Sequence, residues 1–209
     1  MTTILITGGA GQLGSCLAAK LAEDPSNSIV IIDNLSTGSL SKVPQRPNVT
    51  FIKADVNDYN DIISIFATFK FDYVFHYAAV VGVERTLKSP INVLKDIEGI
   101  KNILSLSKNS GVKRVFYSSS SEVYGEPFEI PQNENTTPLN SRLPYAIVKN
   151  VGEAFFKAYQ KDFGLDYTIF RFFNTYGPAQ SNDFVMPRFI RLALNHQPIP
   201  IYGDGRQTR

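Results

Sequence analysis

The sequence predicts an α/β fold, a doubly wound parallel sheet with the start of a small second unit near the C-terminus. Three observations predict it. Short apolar runs recur at Ile4-Leu5-Ile6, Ser28-Ile29-Val30-Ile31-Ile32, Val49-Thr50-Phe51-Ile52, Asp72-Tyr73-Val74-Phe75 and Val112 to Tyr117, and such runs suit strands covered on both faces. Helix-like segments separate them in βαβαβαβαβ order, which points to parallel pairing with ligand sites at the strands' C-terminal ends. The first strand runs straight into glycines at 8, 9, 11 and 14.

That glycine turn comes first in the chain. Gly9, Gly11 and Gly14 fit G-x-G-x-x-G, and Gly8, Gly11 and Gly14 fit G-x-x-G-x-x-G. Glycine permits the sharp turn, lets backbone N–H groups approach a pyrophosphate, and lets the next helix pack closely on the strand. The helix expected over 12–23 aims its positive end at that phosphate. The second strand ends at Asp33, 19 residues past Gly14, close to the ~20 expected of an acid that binds a ribose. A carboxylate there accepts from both adenosine hydroxyls and repels a 2′-phosphate, which favours NAD over NADP. The plainer role for Asp33 is to order the loop 34–38.

Residues 39–48 are polar with two prolines and read as a surface loop. After the third strand, Asp55 either pairs with an adenine amino group or caps the helix expected over 58–69. Past the fourth strand, Ala78, Ala79 and Gly82 admit something flat, and His76 reads as ordering that turn. Ser89-Pro90 offers an N-cap and an N1 proline for a long helix. Ile91, Leu94, Ile97, Ile100 and Leu104 mark one face of it, and Gly111 closes it.

The 209 residues are 43% hydrophobic and 19% charged, ample core material for one α/β domain and the start of a second. Net charge is +2 with no basic block, which speaks against a nucleic-acid partner. The single cysteine, Cys16, excludes an internal disulfide and fits a reducing, cytoplasmic compartment. It reads as a small buried residue of the first helix. Two histidines and one cysteine argue against a Cys/His zinc site. The N-terminus runs directly into a strand, so no signal peptide is expected. The longest apolar run, Val74 to Val83, is too short to span a membrane.

The fifth strand ends in Ser118-Ser119-Ser120-Ser121-Glu122-Val123-Tyr124-Gly125. A polar loop, 126–143, follows. Pro144-Tyr145-Ala146-Ile147-Val148-Lys149 then opens a helix expected to end near Gly164. Tyr145 and Lys149, four apart, share a helix face. An ammonium beside a phenol favours the phenolate and lowers the tyrosine pKa toward working pH. Tyr145 can then act as general base or acid toward a sugar hydroxyl, with a strand-end serine sharing the proton. Alone, Tyr-x-x-x-Lys describes a packed aromatic beside a solvated lysine. After a dinucleotide fingerprint and a serine cluster it reads as a catalytic set.

Together these stretches resemble the extended short-chain dehydrogenase/reductase superfamily, in its nucleotide-sugar epimerase/dehydratase/decarboxylase branch. The residues that carry the resemblance are Thr7 to Gly14, Asp33-Asn34-Leu35-Ser36-Thr37-Gly38, Asp55-Val56, His76-Tyr77-Ala78-Ala79, the serine run with Val123-Tyr124-Gly125, and Tyr145 with Lys149. Arg171-Phe172-Phe173-Asn174-Thr175-Tyr176-Gly177-Pro178 and the segment from Ile201 to Arg209 extend it to the end of the chain.

The resemblance implies a Rossmann-type NAD-binding domain over 1–173 that carries the catalytic residues. It implies the beginning of a nucleotide-sugar-binding domain over 174–209. Ser120, Tyr145 and Lys149 would form the catalytic set with Glu122 beside them, Lys149 also holding the nicotinamide ribose. Gly8, Gly11, Gln12, Leu13, Gly14, Asp33, Asn34, Asp55, Val56, Ala78 and Tyr145 would surround NAD, and no metal is implied. Ser120, Asn174 at the diphosphate, Tyr202 on the base and Arg209 at a phosphate would hold a nucleotide sugar, here taken as UDP-linked. Asn174 as a turn residue and Tyr202 as a strand aromatic remain open. Chains of the branch run on for about another hundred residues, which implies a fragment with a complete cofactor half and an incomplete substrate half. They commonly dimerise through a four-helix bundle, here 90–109 and 144–163, which implies a homodimer.

In that branch Tyr145 would take the proton of the sugar 4-hydroxyl while hydride leaves C4 for NAD. The 4-keto sugar is then reduced on its other face, loses its C6 hydroxyl after C5 deprotonation, or loses a C6 carboxylate. Ser121-Glu122 resembles the decarboxylases, with Glu122 removing the C5 proton or placing a water, or merely ordering the loop. The 21-residue step from Tyr124 to Tyr145 resembles the epimerases. The expectation is a 4-epimerase of the UDP-glucose kind, ahead of a UDP-glucuronate decarboxylase and a 4,6-dehydratase. A non-catalytic NAD-binding sensor or scaffold is the rival on the same fold, and retention of Ser120, Tyr145 and Lys149 argues against it.

Overall fold

In this computed structural model the residues described are 1–82, 86, 88–126, 128–178, 180–201 and 203–205. They fall into two compact units, Met1–Thr175 and Tyr176–Arg209. In the first, the order is β1 (Thr2–Thr7), α1 (Gln12–Leu21), β2 (Asn27–Asp33), β3 (Val49–Lys53), α2 (Tyr59–Thr68) and β4 (Tyr73–His76). There follow α3 (Pro90–Leu94), α4 (Asp96–Ser110), β5 (Arg114–Ser120), α5 (Pro144–Phe163) and β6 (Asp166–Phe172). The second unit contains α6 (Val185–Leu194).

All five pairings are parallel, in the order β3-β2-β1-β4-β5-β6. The order reverses between β1 and β4, and in such sheets the ligand crevice opens at that point beyond the carboxyl ends. Successive strand side chains alternate between faces, so strands apolar at every position bury both. On one face Leu5, Val30, Ile32, Val74 and Val115 pack with Ile62 and Phe66 of α2, Ile103 and Leu104 of α4, and Phe156 of α5. On the other, Ile4, Ile6, Ile29 and Ile31 pack with Ala18 of α1. Beyond them that face carries stacked rings, with Phe75 and Phe116 4.3 Å apart between centroids.

Several local expectations need correction. Cys16 is exposed. Helix α1 buries Gly14, Ser15 and Ala18, and at 3.6 residues per turn position 16 falls on the opposite side. The long helix expected from Pro90 breaks at Lys95 into α3 and α4. Lys95 keeps a right-handed helical backbone, and each step of three residues drifts the expected stripe by about 60°. Ile91 and Leu94 therefore leave the face of Ile100 and are exposed at 72% and 43%, while Val93, seven residues before Ile100, enters the core. Ser89 makes no side-chain cap; its hydroxyl accepts from Asn92 Nδ2 instead. The cap of α2 is Asp58, whose Oδ1 accepts from Asn60 N at 2.9 Å. Asp55 therefore does not serve as that cap.

Candidate active site

The end of β1 builds the first part of the site. Gly8 turns the chain at φ +67°, and a Cβ there would lie 2.7 Å from Ala78 N. A Cβ on Gly14 would lie 2.5 Å from Gly8 O, so turn and helix are in backbone contact. Gly11 is less crowded, meeting only Gly8 O at 3.1 Å. It is the N-cap of α1 and makes no side-chain hydrogen bond there. The N–H groups of Gln12, Leu13 and Gly14 thus have no intrahelical acceptor and suit an anion at the positive helix end. A pyrophosphate fits this cradle.

Asp33 closes β2 and is 8% exposed. Its Oδ2 accepts from Ala10 N at 3.0 Å and its Oδ1 from Leu35 N at 2.8 Å. The carboxylate does order its loop, yet each oxygen retains lone-pair capacity for a ribose hydroxyl. Exposed Asn34 donates from Nδ2 to Asp55 Oδ2 at 3.1 Å, which ties the rims of β2 and β3 together. Asp55 Oδ1 accepts from Asn57 N at 2.9 Å, and Val56 beside it is buried.

Thr7 and His76 hold the turn after β4. The Thr7 hydroxyl accepts from both Tyr77 N and Ala78 N at 3.1 Å. With both lone pairs engaged, its own proton goes to His76 Nδ1, 2.9 Å away. His76 is therefore neutral with its proton on Nε2. Burial brings its pKa down to about 3, helped by the charge of Lys149. The ring orders the turn that carries Ala78, as the sequence reading held.

Helix α5 supplies the proton-transfer candidates. Lys149 Nζ stands over two rings, 5.6 Å from the centroid of Tyr145 and 5.1 Å from that of Tyr117. Lys149 is 3% exposed. Burial lowers its pKa to about 8, with Asp96 acting in the opposite direction. Asp96 is itself fixed by Val80 N, which donates to Oδ2 at 2.7 Å. Ser120 lies beside Tyr145 and favours its ionised form. The tyrosine's pKa contradicts the sequence expectation: burial raises it, Ser120 lowers it, and the carboxylates of Glu122 and Asp96 raise it further. The expected lowering considered only the lysine and not the desolvation of the phenol.

Ser120 also accepts from Glu122 N at 3.2 Å. Glu122 is half-buried in a 3-10 turn spanning Ser121–Tyr124. Ser120, Glu122, Tyr145 and Lys149 are thus brought together at the C-terminal edge of β5. Asn174 is exposed two residues past β6, whose Phe172 is the register partner of Ser120. Tyr202 and Arg209 lie outside the described residues. Among the described residues, no group of three or more His, Cys, Asp or Glu could hold a metal ion. Nor is any helix among them long and apolar enough to cross a membrane.

Sequence reasoning missed Glu153, one further turn along the stripe of Tyr145 and Lys149. It is 1% exposed and paired with Arg171 on β6. Its place at i+4 from Lys149 was the available signal.

The site can be set beside known proteins. Residues 4–209 match the NAD dependent epimerase/dehydratase family. The UDP-N-acetyl-alpha-D-glucosaminuronate decarboxylase of Bacillus cytotoxicus is 37% identical, over 98% of this chain and 65% of its own length. The solved UDP-N-acetylglucosamine 4-epimerase of Methanobrevibacter ruminantium, in complex with UDP-N-acetylmuramic acid, is 36% identical with a TM-score of 0.90. That match covers 99% of this chain and 67% of the epimerase. The UDP-glucose 4-epimerase of Thermotoga maritima, solved with UDP-glucose, is 31% identical with a TM-score of 0.92, covering 98% and 67%. This chain spans about two-thirds of the length of these relatives. It belongs to the NAD dependent epimerase/dehydratase family, a family of NAD-dependent enzymes.

Proposed function

We propose that this chain carries the NAD-binding and proton-transferring part of a nucleotide-sugar 4-epimerase acting on a UDP-linked sugar. The observation that carries the reading is Lys149 Nζ over the Tyr145 ring with Ser120 beside it, at the same carboxyl edge of the sheet as the glycine turn and Asp33. Residues 1–173 form the cofactor and catalytic domain in this reading, and 174–209 begin the nucleotide-sugar domain. The amides of Gln12, Leu13 and Gly14 hold the pyrophosphate, Asp33 the adenosine ribose, Asn34, Asp55 and Val56 line the adenine, and Lys149 holds the nicotinamide ribose. When bound, NAD supplies a hydride acceptor at the sugar C4 and returns that hydride.

Tyr145 removes the proton of the sugar 4-hydroxyl. Ser120 donates to the same oxygen and steadies it as its charge changes. Lys149 offsets the phenolate charge, acting with Ser120 against the burial and the two carboxylates that hold the phenol's pKa up. Asn174 contacts the diphosphate, Tyr202 the base and Arg209 a phosphate. The backbone contacts of Gly8 and Gly14 keep the cofactor resident through turnover. The protein is a cytoplasmic homodimer in this reading; exposed Ile147 and Phe163 on α5, at 41% and 54%, support the dimer.

A second reading, a UDP-glucuronate decarboxylase or 4,6-dehydratase, draws support from Glu122, whose carboxylate acts on Tyr145 and is thus close to the reacting sugar. NMR analysis of products from UDP-glucose and UDP-glucuronate, with the full-length protein, separates these readings. Inversion at C4 is the expected outcome. A UDP-pentose formed with carbon dioxide would favour the second reading. Bound NAD with no product from either sugar would favour a sensor.

A further inference from the structure

Glu153 takes no part in the chemistry proposed above, yet it is a carboxylate at 1% exposure. Its Oε1 accepts from Ser119 Oγ at 2.6 Å and from Arg171 Nε at 2.9 Å, and its Oε2 from Arg171 Nη2 at 2.7 Å. Burial alone would raise its pKa; the hydrogen bonds from Arg171 and Ser119 outweigh that and hold it below the ordinary carboxylate value. Arg171 has a further arm. Its Nη1 donates to the Tyr124 hydroxyl at 2.9 Å and to the Glu134 carbonyl at 3.2 Å. Its guanidinium also lies 4.9 Å from the Tyr124 ring centroid.

Glu153, Ser119 and Tyr124 each belong to an element that carries a site residue. Glu153 is on α5 with Tyr145 and Lys149, eight and four residues before it. Ser119 precedes Ser120 and is the register partner of Arg171. Tyr124 ends the 3-10 turn that carries Glu122. Glu134 lies in the loop between that turn and α5. One planar guanidinium therefore joins the helix, the strand end, the turn and the loop. A rigid fork fixes angles as well as distances, which a lysine cannot do. Stability is a weak reason for such a pair, because desolvating two ions offsets their attraction and an apolar pair of similar volume often serves as well.

We propose that Glu153 and Arg171 are a positioning pair that sets where Ser120 and Glu122 stand relative to Tyr145. The proposal rests on the catalytic reading above. Neither residue touches the reacting atoms; Glu153 acts through Ser119, and Arg171 through Tyr124 and the Glu134 carbonyl. A misplacement of about 1 Å at reacting groups costs on the order of a hundredfold in rate, so the pair registers in kcat more than in binding.

The test uses the full-length protein with three variants: Glu153→Leu with Arg171→Met, Arg171→Lys alone, and Tyr124→Phe alone. Amide hydrogen exchange at residues 122–125 is followed together with kcat and KM for a UDP-sugar. In the doubly apolar variant, exchange at these amides should quicken by about tenfold or more. Its kcat should fall about tenfold to a hundredfold with KM unchanged. Arg171→Lys should show the same changes to a smaller degree. A folded double variant with native exchange at 122–125 overturns the proposal, as does native kcat in that variant. Should the double variant fail to fold, Arg171→Lys and Tyr124→Phe decide it: quickened exchange supports the pair's role and native exchange in both overturns it. A native protein that turns over no nucleotide sugar overturns the catalytic reading instead, and exchange still decides the positioning.

Discussion

Lys149→Met tests the electrostatics of the site most sharply, because it should stabilise the protein while disabling it. The native lysine is drawn from an ordinary pKa of 10.5 to about 8, chiefly by burial. Below pH 8 both folded and unfolded chains hold the proton, and the folded state bears the whole penalty. Between about 8 and 10.5 the unfolded chain binds more protons, so this group's contribution to stability rises with pH through that window. At about 1.4 kcal/mol for each tenfold change in proton affinity, the penalty is about 3 kcal/mol. Methionine keeps the length and drops the charge. The change also forfeits the cation–π contacts with Tyr117 and Tyr145, about 0.5–1 kcal/mol each, and the attraction to Asp96. The net expectation at pH 7 is a gain of about 1–2 kcal/mol. Denaturant unfolding of both proteins at pH 7 and pH 10 measures it, and taking their difference cancels other titrating groups. The variant's advantage should disappear by pH 10 as the native lysine loses its charge. A variant that is less stable at pH 7, by an amount independent of pH, would refute the reasoning.

Three further substitutions probe separate parts of the site. Asp33→Ala should weaken NAD binding by about tenfold to a hundredfold and relax the preference against NADP; equal NAD affinity in a titration would remove the ribose assignment. Glu122→Gln should leave 4-epimerisation close to native, whereas loss of about 10²–10⁴-fold in kcat would mark Glu122 as the C5 base of a decarboxylase or dehydratase. In Gly14→Ala the new Cβ meets Gly8 O at 2.5 Å and Gly9 Cα at 2.6 Å. Both are backbone atoms, so unfolding measurements should show a loss of about 1–3 kcal/mol; unchanged stability would mean that the turn can move aside.

What the sequence discloses is what local chemistry fixes. The strand–glycine–helix turn was legible because Gly8 and Gly14 satisfy backbone contacts that a Cβ would block. The sheet followed from apolar runs that alternation alone buries. Tyr145 and Lys149 were legible as a pair because four residues is one helical turn. What escaped depends on surroundings no local pattern records. Ile91 and Leu94 kept steps of three with Ile97, but such steps drift round the helix, and the face that the fold buries runs through Val93 and Ile100. Cys16 was expected inside and faces out, because the core stripe of α1 runs through its neighbours Ser15 and Ala18. The direction of the Tyr145 pKa depended on burial and on Asp96, 49 positions earlier in the chain. The Glu153–Arg171 pair joins a helix to a strand and becomes visible only once both lie on the same sheet face.

The central claim is that Tyr145 moves the sugar's proton at a site where NAD stays bound. Steady-state turnover of UDP-glucose by the full-length protein and by its Tyr145→Phe variant measures it directly, with bound NAD quantified in both. The variant should retain NAD and lose about 10²–10⁴-fold in kcat. Native turnover in a variant that still holds NAD would contradict the account.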